Sequence, residues 1–185
     1  MQLVKKNIYL CGMIGSGKTT IGKRLAAGLG LDFFDLDEEM DRILGYSFHK
    51  LVKEKGWLAF RELEYTLCKR FSTLDKSIVC LGGGTVRYEW NLDILRGTGP
   101  VILLEAPLDI LVERVRLADR PRVNPGTSLE EDVQMIWETS KEKYYSAADI
   151  VYPTERKSID EEVEELKAII LDIMSSENAR SVKPE

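Results

Sequence analysis

The sequence predicts one α/β domain, a parallel sheet wrapped by helices, and three observations carry that expectation. Short β-branched or apolar runs alternate with longer stretches of helical period, the pattern produced when helices connect parallel strands. A glycine-rich segment over residues 12–17 follows the first such run and opens directly into a helical stretch. The chain has 185 residues, 44% hydrophobic and 31% charged, enough for one well-filled core and too apolar for a disordered polymer.

The elements follow in order. Residues 1–10 pair two lysines with a short apolar run that Gly15 and Lys18 soon interrupt, so the segment reads as a first strand, not as a secretory signal or a membrane span. Strands are expected over 7–11, 32–35, 77–81, 101–104 and 149–152. Residues 18–29 have helical period and stop at Gly30, and 107–117 starts with a proline in its first turn. Ser128 with Glu131, and Ser158 with Glu161, are capping boxes that open two later helices. Between them 118–128 has two prolines, one glycine and two arginines without hydrophobic period, the composition of a mobile surface loop. From 175 to 185 the chain is polar and aperiodic, so the domain is placed at 1–174 with a disordered tail beyond.

Charge and cysteines narrow the function classes. A formal charge of −5 denies a general nucleic-acid binder the broad basic field it needs. The three cysteines, Cys11, Cys68 and Cys80, form no CxxC pair and read as reduced, buried thiols of a cytosolic protein. His49 is the sole histidine, placed on a polar helix side. Trp90 and Trp137 read as core or interface anchors, and Glu161, Glu162, Glu164 and Glu165 as a solvated helix face.

Residues 12–19, Gly-Met-Ile-Gly-Ser-Gly-Lys-Thr, match G-x-x-x-x-G-K-[ST] in the setting the motif requires, after a strand and opening a helix. Glycines let backbone N–H groups converge on phosphates, and the helix N-terminus adds positive potential. Lys18 is expected to bridge the β- and γ-phosphates, and Thr19 to offer its hydroxyl to Mg²⁺. No NKxD-like guanine reader is present, and the chain is short for a motor, so transfer to a small acceptor is the expectation.

Three further segments concern that acceptor. Asp35-Leu36-Asp37 ends the second strand, and strand spacing points both carboxylates one way, beside metal and acceptor. One acid suits a metal-bound water, and the other the acceptor's proton. Capping of the following helix by Asp37 is the competing role. Arg61 and Glu64 stand at i, i+3 on a helix, a spacing that also suits a mere surface ion pair worth a few tenths of a kcal/mol. The strand over 77–81 runs into Gly82-Gly83-Gly84, a triplet that lets backbone N–H groups approach a ligand.

Taken together these residues resemble the shikimate kinase family over about 6–172: the phosphate loop, the D-x-D, F-R-x-x-E at Phe60 to Glu64, the glycine triplet, Arg120-Pro121, and Y-x-x-x-A-D from Tyr144 to Asp149. The resemblance implies a three-layer α/β/α P-loop kinase fold, a five-stranded parallel sheet of order 2-3-1-4-5, a substrate-binding region over about 36–64 and a mobile lid over about 116–128. It implies transfer of phosphate from ATP, with Mg²⁺, to the 3-hydroxyl of shikimate by a cytoplasmic monomer that needs neither nucleic acid nor membrane. Gly12, Gly15, Ser16, Gly17, Lys18, Thr19 and Thr20 are then nucleotide contacts, with Arg114 on the adenine and Arg120 over the transferred phosphoryl group. Thr19 and Asp35 fall to the metal. Asp37 becomes the base that binds the acceptor hydroxyl, Arg61 the carboxylate ligand, and Gly82, Gly83 and Gly84 substrate-binding residues, Gly83 and Gly84 through backbone N–H donors.

The chain departs from the family's pattern in places. Ser140 stands where members carry a second carboxylate-binding arginine, and Arg122 follows Arg120-Pro121 where an aliphatic residue is usual. Arg122, Lys141 or Lys143 is the expected replacement for the lost charge. Trp57 replaces a frequent glutamate, and Val52 a larger pocket aromatic. These changes leave two alternatives: a same-fold kinase of another hydroxylated acid or polyol, or a nucleotide-binding regulator without catalysis.

Overall fold

The computed structural model describes residues 6–116, 123–124, 126–154 and 157–181. Five parallel strands form one sheet in the order β2-β3-β1-β4-β5: β1 (Ile8–Cys11), β2 (Asp32–Asp35), β3 (Ser77–Cys80), β4 (Val101–Glu105) and β5 (Ile150–Pro153). The helices are α1 (Lys18–Leu29), α2 (Leu36–Leu44), α3 (Phe48–Ser72), α4 (Glu89–Leu95), α5 (Leu108–Arg116), α6 (Leu129–Ala147) and α7 (Ile159–Ser181).

The central strand shows why the sheet must be covered on both faces. All four residues of β1 are fully buried; Ile8 and Leu10 join the apolar layer under α1 and α7, while Tyr9 and Cys11 join the layer under α2, α3, α4 and α6. Burying such a side chain contributes about 1.5–3 kcal/mol, and period-two alternation sends successive contributions to opposite layers. The three cysteines are buried free thiols, and burial pushes Cys11 up to about 12, which leaves it inert at neutral pH.

Both expected capping boxes form: Ser128 Oγ accepts from Glu131 N–H at 3.2 Å while Glu131 accepts from Ser128 N–H at 2.8 Å, and Ser158 and Glu161 do the same at 3.3 and 2.9 Å. Asp149 does not begin β5. Its carboxylate instead accepts from Val101 N–H at 2.8 Å, tying the start of β4 to the end of α6. The sequence read 175–185 as a disordered tail, whereas helical backbone continues to Ser181. A helix nucleated on a packed face propagates at low cost through residues that include no glycine or proline, and Pro184 is the first of either after Met174.

Glu162 also departs from expectation. It is 2% exposed, next to the buried Val163, and lines a cavity together with Arg114. Trp90, expected as an anchor, is 49% exposed and lies tilted against Tyr88 at 4.7 Å between ring centroids; its helix buries Asn91, Leu92 and Leu95, and Trp90 falls outside that face. Among the described residues, no helix is long and apolar enough to cross a membrane.

Candidate active site

The C-terminal ends of β1, β2 and β3 open onto one cavity of about 1110 Å³, the edge at which open α/β sheets bind ligands. Its first wall is the loop after β1. Gly12 has φ 145°, and a Cβ there would lie 2.5 Å from Leu104 O, so only glycine lets the loop pass this close to β4. Lys18 folds back over the loop and donates to Gly12 O at 2.9 Å and Met13 O at 3.0 Å. Burial pulls its pKa below the ordinary lysine value, and the carboxylates of Asp37 and Asp35 act in the opposite direction. The result is an ammonium held over a ring of backbone, with Gly15, Gly17, Thr19 and Thr20 lining the same wall. Ser16 is fully buried, and its Oγ has no partner among the described residues.

Asp35 and Asp37 take different places from those expected. The chain leaves the strand at Leu36, so Asp35 is the N-cap of α2 and Asp37 lies in that helix's first turn. Asp35 Oδ1 accepts from Asp37 N–H at 3.0 Å and Glu38 N–H at 3.4 Å, while its other oxygen accepts from Thr19 Oγ1 at 2.7 Å. Capping therefore falls to Asp35 and not to Asp37. Asp37 lines the cavity and faces the glycine triplet, its Oδ1 lying 3.2 Å from where a Cβ on Gly82 would be.

The second wall belongs to α3. Gly56 breaks that helix with φ 80° and ψ 176°, a conformation essentially reserved for glycine, and the kink sends Phe60, Arg61 and Glu64 toward the triplet. Arg61 and Glu64 are no surface pair: their side chains are 17% and 0% exposed at 2.8 Å. Glu64 also accepts from Thr85 Oγ1 at 2.8 Å and Asn91 Nδ2 at 3.2 Å, so one buried carboxylate fixes the arginine and the turn after the triplet together. Nothing in the F-R-x-x-E spacing revealed that role. Arg61 is further framed by Tyr88, whose ring centroid lies 4.5 Å from its Cζ, and its Nη2 lies 3.0 Å from a Cβ position on Gly84. Tyr144, buried on α6, donates to Gly83 O.

Among the lining residues that the sequence reading did not place in the site are two with charge, Arg87 and Glu162. Arg87 ends the short 3-10 turn after the triplet (Thr85–Arg87) and borders the cavity. Glu162 borders it near Arg114 and Ile159; burial raises its pKa, with Arg114 opposing, and its Oε1 has no partner among the described residues. Arg114 itself donates to Gly15 O at 3.1 Å. Val52, Trp57 and the exposed His49 border the acceptor side. Lys141 and Lys143 are exposed and border nothing there. Arg120, Pro121 and Arg122 lie outside the described residues. The segment beyond them is pinned where Val123 N–H and Asn124 N–H donate to the buried Asp132 at 3.1 and 2.8 Å.

A lysine-bearing phosphate loop facing a carboxylate and an arginine across one cleft defines a class, the P-loop phosphotransferases that act on small acceptors. The sequence model of the family described as Shikimate kinase matches residues 14–171. A shikimate kinase of Persephonella marina is 37% identical over 83% of this chain and 92% of its own length, and one of Chlorobaculum tepidum is 38% identical over 86% and 87%. Shikimate kinase from Acinetobacter baumannii, solved in complex with shikimate, superposes with a TM-score of 0.84 at 26% identity over 91% of this chain and 94% of that one. The chain belongs to the shikimate kinase family, and its phosphoryl donor is ATP.

Proposed function

We propose that this chain transfers the γ-phosphoryl group of ATP to the 3-hydroxyl of shikimate and releases ADP. The observation that carries the reading is the meeting of Lys18, Asp37, Arg61 and the glycine triplet in one cavity. The acceptor oxygen attacks the γ-phosphorus, the bond from that phosphorus to the β–γ bridging oxygen breaks, and the hydroxyl proton passes to Asp37. Lys18 offsets charge on the β- and γ-phosphates, Arg61 holds the acceptor's carboxylate, and Gly83 and Gly84 offer it backbone N–H groups beside Gly82.

The residues also fit Mg²⁺. Thr19 and Asp35 bring a hydroxyl and a carboxylate within 2.7 Å of each other, a hard-oxygen pair of the kind that holds this ion while phosphates and water complete its shell. When bound, Mg²⁺ neutralises charge between the β- and γ-phosphates. Arg120 takes the transferred phosphoryl group from the lid by its position in sequence, and Arg114 the adenine. With a formal charge of −5, the same reading has a cytoplasmic monomer working without nucleic acid or membrane.

A coupled ADP-release assay with Mg·ATP tests the proposal, comparing shikimate with gluconate, quinate and no acceptor. Release that saturates with shikimate alone is expected. A preference for gluconate or quinate, or no stimulation by any acceptor, refutes it.

A further inference from the structure

At the acceptor end, Arg61 serves a buried carboxylate before any acid binds. Asp37 borders the cavity, and Glu64 lies behind Arg61, bonded to it at 2.8 Å. Arg61 is therefore already committed to Glu64, so a carboxylate ligand that it holds shares its guanidinium with a buried carboxylate 2.8 Å away, and like charges at such range cost binding. On α6, Ser140 one turn before Tyr144 is fully buried and brings no charge; its Oγ has no partner among the described residues. Lys53 borders the cavity but is exposed, so water screens it.

Arg87 supplies what is missing. It is the last residue of the 3-10 turn whose cap is Gly84, and its N–H donates to Gly84 O at 3.1 Å. Residues i and i+3 eclipse in a 3-10 turn, so Arg87 projects on the side of Gly84 that borders the cavity. Its side chain is half-buried, and among the described residues no carboxylate pairs with it. The turn packs against α6, and Arg87 is close enough to Tyr144 for its charge to oppose the burial that raises the tyrosine's pKa. Arg61 borders the same glycine from α3.

We propose that Arg87 is a substrate-binding residue that, with Arg61, clamps the carboxylate of the acceptor across Gly84. Two planar guanidiniums reaching one anion from different elements give both the charge and the orientation that a single arginine, already shared with Glu64, does not. The clamp supplies from the turn after β3 the charge that Ser140 does not bring on α6. The inference rests on the function proposed above, and it fails separately from it.

Steady-state kinetics on the full chain provide the test, with Mg·ATP and either shikimate or its methyl ester, in wild type, Arg87→Met and Arg87→Lys. Methionine keeps the apolar stem while removing the charge. Wild-type turnover of shikimate is the control for the parent reading; its absence condemns that reading and the clamp with it. Given turnover, Arg87→Met is expected to raise KM for shikimate about 10- to 100-fold, to leave KM for ATP within about twofold, and to erase the preference for acid over ester. Arg87→Lys recovers part of the preference, because a point charge replaces a fork. A KM for shikimate within about twofold of wild type in Arg87→Met, or an equal rise for acid and ester, overturns the proposal.

Discussion

The two ends of the cleft are built by different means. The nucleotide end is made from neighbours in sequence: backbone of 12–19, and a lysine that bonds carbonyls five and six residues before it. The acceptor end is made from strangers, since Asp37, Arg61, Glu64, Arg87 and Tyr144 come from α2, α3, the turn after β3 and α6. Backbone cradles are robust to substitution around them and selective only for phosphate. Side-chain cradles are selective, and each member depends on distant packing for its aim. Separability follows: damage at one end should leave the other nearly intact, and four measurements press on that claim.

The largest effect belongs to the proton acceptor. Asp37→Asn keeps the shape and the place at the first turn of α2 but removes the base, and kcat is expected to fall by about 10²- to 10⁴-fold. Nucleotide affinity, read by equilibrium titration with ATP, should change by less than about threefold. Wild-type turnover in this variant would remove Asp37 from the chemistry, and loss of ATP binding would show the two ends to be one.

Glu64→Ala comes second. It breaks a buried pair, leaves Arg61 Nη1 and Thr85 Oγ1 without their carboxylate, and takes one of two acceptors from Asn91 Nδ2, a change that typically costs about 3–5 kcal/mol. Thermal unfolding should register that loss of stability, and KM for shikimate should rise while KM for ATP holds. If stability falls with KM for shikimate unchanged, Glu64 holds the fold and not the arginine.

These two residues also mark where the sequence was legible. The phosphate loop and both capping boxes were readable because each is a local string with local physics, whereas the strand order came only through the family resemblance. The D-x-D was found but misplaced: the strand stops at Asp35 because that side chain captures two N–H groups of α2, and two residues of strand spacing became a cap and a helical turn. Burial was harder still. Glu64 and Glu162 look like surface carboxylates in sequence, and only the packing of α3 and α7 removes them from water. Arg87 had one signal available, its place three residues after Gly84, but that becomes informative only once the segment is known to be a 3-10 turn.

The third test addresses the nucleotide end through pH. Burial depresses the Lys18 pKa below 10.5, and the phosphates require the charged form. Lys18 stays charged well below that depressed pKa and is lost as a cation when pH rises through it, so kcat/KM for ATP should fall on the alkaline side about tenfold per pH unit, beginning below 10.5. The acid limb is set by other groups. A lysine-dependent limb at or above 10.5 would contradict the burial of Lys18 in the free enzyme.

The smallest effect sharpens the comparison most. Gly56→Ala places a Cβ where nothing lies within 4 Å, so no clash arises and the whole cost is backbone: φ 80° with ψ 176° is worth about 1–3 kcal/mol against any other residue. For a chain of this size each kcal/mol lowers Tm by about 2–4 °C. The protein has two responses. It can keep the kink and lose stability, in which case Tm drops and both KM values stay put. Alternatively it can straighten α3, recovering stability while swinging Phe60, Arg61 and Glu64 away from the triplet, so that KM for shikimate rises and Tm does not move. The buried Arg61–Glu64–Thr85–Asn91 network favours the first, because straightening would break bonds worth more than the strain it relieves. An unchanged Tm with an elevated KM for shikimate would therefore show that the acceptor wall is held by the kink alone, and that its side-chain network is weaker than its geometry suggests.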